Sequence, residues 1–171
     1  VPMRLASDGV FSFGLKIGRR SAELVLIDFN GSARHERQLT YEAPIQAEIS
    51  AFAENGVQSI TSNLTANQSS RICGLGVAAP FEMWNCPENR RETENDFETW
   101  RNVDLRTTLS NRTGHPVSLM NDATAACQAE HTYGRGREFR DYAYFFVGAF
   151  IGGGIALNNA VYEGRQGNAG A

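Results

Sequence analysis

Val117-Ser118-Leu119-Met120-Asn121-Asp122-Ala123-Thr124-Ala125-Ala126-Cys127 is the stretch whose reading decides the fold. Its first four residues make a short strand, and they run straight into a polar pair that can cap a helix of small residues. Further on, Val147-Gly148-Ala149-Phe150-Ile151-Gly152-Gly153-Gly154-Ile155 sets a glycine run on a hydrophobic strand, and Gly167-Asn168-Ala169-Gly170-Ala171 adds a second glycine loop. A polar pair opening a helix, followed by glycine-rich backbone, is how sugar and nucleotide clefts are built.

Working outward, the 171 residues, 42% of them hydrophobic, can bury a sizeable core and suit one ordinary domain. A formal charge of -3 leaves no field for binding nucleic acid by counterion release, and Arg19-Arg20 and Arg90-Arg91 are isolated pairs, so this segment itself is not expected to bind DNA. Cys73, Cys86 and Cys127 are odd in number and lack C-x-x-C spacing, which argues against a disulfide framework or a zinc site and for thiols in a reducing cytoplasm. No apolar run reaches membrane-spanning length and no export signal is visible, so the chain is expected to be cytoplasmic, with no membrane partner.

The chain opens with two strands, Val10 to Ile17 and Ala22 to Phe29, joined at Gly18-Arg19-Arg20-Ser21, and a third follows the turn signal Asp28-Phe29-Asn30-Gly31. Ile45, Ile49, Phe52, Val57, Ile60 and Leu64 recur at helical spacing after Pro44, and Arg71 to Pro80 reads as a buried strand that makes the sheet mixed. Phe81 to Asn102 sustains no period; its charged run Pro87 to Asp96 reads as a surface loop between Trp84 and Trp100. Asp104 can cap a helix that Gly114 ends, and Tyr142 to Val147, Ile151 to Leu157 and Val161-Tyr162 are strands around a turn at Asn158-Asn159. Gly74-x-Gly76-x-x-Ala79 fits a dinucleotide fingerprint on paper, but Pro80 follows and no helix opens there.

This order is similar to one lobe of the ribonuclease H-like, actin-type α/β fold, a mixed sheet flanked by helices. Gly14-Leu15-Lys16-Ile17-Gly18-Arg19-Arg20, Asn121-Asp122-Ala123, Gly148 to Ile155 and Gly164 to Gly170 resemble successive blocks of the ROK family, which joins repressors, open reading frames and sugar kinases. The resemblance implies a first lobe over residues 1–135 and the start of a second over 136–171. It also implies a longer protein, with a winged helix-turn-helix before Val1 in the repressors, and a Glu/His sugar segment and a Cys-rich zinc segment after Gly170.

Within that resemblance, Asn121 and Asp122 fall where sugar hydroxyls are held, and in a kinase Asp122 would be the base that deprotonates the attacking hydroxyl. Capping a helix also accounts for them. The kinases carry a Mg²⁺-organising Asp and a Gly-Gly-Thr loop where this chain has Lys16 and Gly18-Arg19-Arg20. An ammonium beside a divalent cation replaces attraction with repulsion, so no metal is expected there; Lys16, Arg19 and Arg20 could hold an anion or form a solvated turn. The second phosphate loop reads Gly148-Ala149-Phe150, where the kinases have Gly-Thr-Gly, followed by Gly152-Gly153-Gly154. Those three glycines suit either phosphate approach or a tightly packed strand. Ala171 stands where sugar binders have Glu.

These departures lead to an expectation of a non-enzyme: the effector-sensing part of a ROK transcriptional regulator, catalytically degraded, without a cofactor of its own and with zinc confined to the C-terminal segment. It would bind a small carbohydrate or derivative, form a homodimer, and reach DNA only through the winged helix-turn-helix. The alternatives are an ATP-dependent sugar kinase of the same family and an assembly module with no ligand.

Overall fold

The computed structural model describes residues 3–80, 100, 103–147 and 151–170. The surface-loop reading of Pro87 to Asp96, together with Trp84, Cys86, Gly148, Ala149, Phe150 and Ala171, therefore lies outside the described residues. Those that are described fall into two compact units. One holds the residues up to Val77 and those from Trp100 to Leu119, and the other holds Ala78–Pro80 and those from Met120 on.

The first unit is built on a five-stranded sheet in the order β3-β2-β1-β4-β5, formed by β1 (Phe11–Ile17), β2 (Ser21–Asp28), β3 (Ala33–Thr40), β4 (Ile72–Ala79) and β5 (Val117–Asn121), the last two ending in the second unit. β1, β2 and β3 are antiparallel neighbours, as the sequence implies. Phe11 N–H donates to the carbonyl of Arg71 at 2.9 Å, so β1 and β4 begin at the same end of the mixed sheet. Period-two alternation sets the core: Phe11, Phe13, Leu15 and Ile17 on β1 pair with Asp28, Leu26, Leu24 and Ala22 on β2, and all eight are buried.

Helix α1 (Gln46–Ser62) covers this face with Ile49, Ala53, Val57 and Ile60, spaced for one helical stripe. It lies close because Gly56 has no Cβ: one there would collide with Leu24. α1 starts at Gln46, two residues after Pro44, with Ile45 as a cap that offers no side-chain acceptor. A separate turn of helix, α2 (Ala66–Ser69), follows; Thr65 and Gln68 form a reciprocal capping box around it. The helical spacing read from Ile45 to Leu64 stops short of it. Asp104 caps α3 (Leu105–Thr113), accepting from Thr107 N–H at 3.1 Å, and Gly114 ends it with φ +72°. β3, exposed along nearly its whole length, carries Arg34, His35, Glu36 and Arg37, a charged edge that resists pairing with another strand.

In the second unit, α4 (Asp122–Tyr133) packs on an antiparallel sheet of β6 (Tyr142–Val147), β7 (Ile151–Leu157) and β8 (Ala160–Val161). The expected turn at Asn158-Asn159 is present, with φ of 54° and 61°. Gly74 to Ala79 lies inside β4, where a Cβ on Gly74 would stand 2.8 Å from the carbonyl oxygen of Pro116, so close strand packing accounts for that glycine. No helix among the described residues is long and apolar enough to cross a membrane.

Candidate functional site

Asn121 and Asp122 stand where β5 ends and α4 begins. Asn121 is buried and is the cap: its Oδ1 accepts the N–H groups of Ala123 and Thr124, both at 3.1 Å. Those two bonds fix the side chain with Nδ2 outside the cap. Asp122 is half-buried, and its Oδ1 accepts from Ala123 N–H at 2.9 Å, leaving Oδ2 out of that bond. A carboxylate in the first turn also sits favourably against the positive end of the helix.

The second and third sequence blocks meet around α4. Gly152 faces the helix at Ala123, where a Cβ would stand 3.1 Å from the alanine methyl. Gly154 faces it one turn on, and a Cβ there would collide with Cys127. A Cβ on Gly153, between them, would stand 2.7 Å from the carbonyl oxygen of Tyr144 and 3.1 Å from that of Gly170. Each glycine of the run thus has a packing partner. The turn Gly164–Gly170 reaches the same helix through Gly167, whose carbonyl accepts from the Thr124 hydroxyl at 3.4 Å.

In the first unit, Lys16 is exposed and ion-paired to Glu23 at 3.4 Å, a solvated pair worth little to stability. Gly18 and Ser21 close the hairpin, with Gly18 N–H donating to the Ser21 carbonyl at 2.8 Å. Tyr41 seals it from the end of β3: its hydroxyl lies 2.7 Å from the Gly18 carbonyl oxygen and 2.8 Å from that of Ser21. Burial pushes that phenol well above its ordinary range. Arg19 and Arg20 sit on this fixed turn.

Sequence reasoning missed Thr124 and Tyr41, and gave Cys127 no place in the packing of the glycine run. Thr124 and Cys127 are buried, and burial raises the Cys127 thiol, so it stays a neutral packing group against β7. The available signal was spacing: Ala123 and Cys127 lie four apart on one helix face, matching Gly152 and Gly154 two apart on one strand face.

A beta-glucoside kinase of Listeria innocua is 39% identical over 103 residues, 60% of this chain and 35% of that protein. A xylose repressor of Bacillus subtilis is 30% identical over 99 residues, 58% of this chain and 25% of the repressor. This chain thus spans no more than about a third of either relative. Among solved structures, a ROK family transcriptional regulator homologous to the Escherichia coli MLC protein superposes with a TM-score of 0.72 at 19% identity, covering 95% of this chain and 40% of that one, which establishes the ribonuclease H-like fold. The kinase relative corrects one expectation: a chain this similar to a sugar kinase cannot be set down as a non-enzyme on its altered phosphate loops. The profile of the ROK family matches residues 12–171, and the chain belongs to that family.

Proposed function

We propose that this chain is the sugar-sensing part of a longer ROK transcriptional regulator, with a carbohydrate-like ligand held by Asn121 and Asp122. The observation that carries this reading is the division of atoms at the β5–α4 junction. Asn121 keeps its Nδ2 donor and Asp122 its Oδ2 acceptor outside the cap, while the helix holds both side chains in place. A donor and an anionic acceptor on successive residues suit two hydroxyls of a sugar: one oxygen accepts from Nδ2 and the other hydroxyl donates to Oδ2. Lys16, held by Glu23 at the β1 position where a kinase would organise Mg²⁺, supports a regulator, as does the xylose repressor relative. Ligand binding would change how a dimer of the longer protein presents its winged helix-turn-helix domains to DNA.

A second reading, ATP-dependent sugar phosphorylation, is favoured by the beta-glucoside kinase relative. There Asp122 would take the proton of the attacking hydroxyl through Oδ2.

The test uses the full-length protein. Isothermal titration with D-glucose, D-xylose and a β-glucoside should show binding that Asp122→Asn weakens at least ten-fold with the melting temperature unchanged. Operator-DNA affinity that shifts with the bound sugar supports the regulator; sugar-dependent ATP consumption abolished by Asp122→Asn selects the kinase. Undiminished sugar binding in Asp122→Asn would overturn both.

A further inference from the structure

We infer that Thr124 is a positioning residue that docks the glycine-rich turn Gly164–Gly170 against the ligand-holding end of α4; this rests on the reading of Asn121 and Asp122 given above. Thr124 is 1% exposed, so its hydroxyl proton must go to a protein acceptor. Two oxygens lie at the same distance, Asn121 Oδ1 and the carbonyl of Gly167, each at 3.4 Å. A hydroxyl has one proton to give, and Asn121 Oδ1 already accepts Thr124 N–H and shares Ala123 N–H with Asp122 Oδ1. We assign the proton to the less crowded carbonyl of Gly167.

A second anchor holds the far end of the same turn. Gly170 lies so close to β7 that a Cβ on it would collide with the carbonyl of Gly153. Between the anchors, positive φ at Gly164 and Gly167, 74° and 77°, lets the chain fold back, and Ala169 N–H donates to the Glu163 carbonyl at 3.1 Å. The turn is thus fixed to the strand through Gly170 and to the helix through Thr124, two residues past Asp122. A ligand on Asn121 Nδ2 and Asp122 Oδ2 leaves both anchors in place, so the turn is preorganised before binding.

The experiment compares Thr124→Val, which removes the hydroxyl at constant shape, with Thr124→Ser, which keeps it, in the full-length protein. Amide hydrogen exchange over residues 164–170, without ligand, should quicken roughly five-fold in the valine variant, the loss of about one hydrogen bond, and remain at the wild-type rate in the serine variant. Titration with D-glucose and D-xylose should show the same factor lost in the valine variant and restored by serine. Unchanged exchange in Thr124→Val overturns the docking role; quickened exchange with unchanged affinity overturns the link to ligand. Should the valine variant fail to fold, Thr124→Ala is read by the same two measurements. If the wild type binds neither sugar, the reading of Asn121 and Asp122 falls, and the exchange comparison alone decides whether Thr124 holds the turn.

Discussion

Gly154→Ala gives the sharpest test of what the glycine run is for. A methyl there would enter α4 at Cys127, colliding with its Cβ and standing 2.6 Å from its Sγ. Carbon atoms in contact sit about 3.5–4.0 Å apart, so helix and strand would have to separate by more than about 1 Å. Cys127 is fully buried and cannot swing into solvent. Overpacking of this kind costs about 1–3 kcal/mol, and the upper end is expected because Cβ positions are fixed by backbone. At about 2–4 °C per kcal/mol for a chain of this size, the melting temperature should fall by roughly 6–12 °C in a calorimetric scan.

Two controls sharpen the result. Gly76→Ala should be tolerated, since the nearest atom to its Cβ is the Phe13 carbonyl oxygen at 3.9 Å. Cys127→Ala removes the sulfur but keeps the Cβ, so combining it with Gly154→Ala should recover only part of the loss. A Gly154→Ala protein melting within about 2 °C of wild type would refute the packing argument and return Gly154 to a phosphate-loop role.

Three further outcomes follow from the same structure. Asp28 is buried; burial raises its pKa, but Arg34 at 2.7 Å and the N–H groups of Ser32 and Asn30 outweigh it and hold the carboxyl below its ordinary value. The stability it contributes is present above the unfolded carboxylate range and is lost as pH falls through the folded value, so thermal scans from pH 6 down to 3 should show a steeper loss in wild type than in Asp28→Asn. Tyr142 is pushed up to about 12, by burial first and then by Cys127 and Glu130, so stability should fall as pH rises from the ordinary tyrosine range toward that value, and Tyr142→Phe should flatten the alkaline limb. Trp100 donates Nε1–H to the Pro44 carbonyl at 2.7 Å in a buried setting; Trp100→Phe leaves that oxygen unpaired and should cost about 1–3 kcal/mol by chemical denaturation.

What could be read from the sequence was local. The alternation in β1 and β2 with Gly18 to Ser21 between them, the Asp104 and Gly114 caps, and the Asn121 cap each depend on residues a few positions apart. α2 is equally local, marked by the Thr65…Gln68 capping box, but its single turn is too short to show a periodicity. The rest was hidden by distance along the chain: Tyr41 seals a turn 23 residues before it, and Thr124 meets Gly167 43 residues on. No periodicity reports such pairs. The glycine run was legible as backbone needing close approach, but whether a phosphate or a helix approaches it could be decided only once α4 lay on β7.

The same distinction makes Asn121 testable, for which capping and ligand binding are rival explanations. They would use different atoms: Oδ1 serves the helix, and under the proposed reading Nδ2 would meet the ligand. Asn121→Ala removes both and strands two N–H groups, so it should destabilise by about 1–2 kcal/mol and weaken sugar binding together, which separates nothing. Asn121→Asp keeps an oxygen in the Oδ1 position and adds negative charge at the helix start, where it is favourable. It replaces the donor by an acceptor and places a second carboxylate beside Asp122. Melting temperature should therefore hold or rise while sugar affinity drops. If Asn121→Asp keeps both its stability and its full sugar affinity, Nδ2 touches no ligand and the residue is a cap alone.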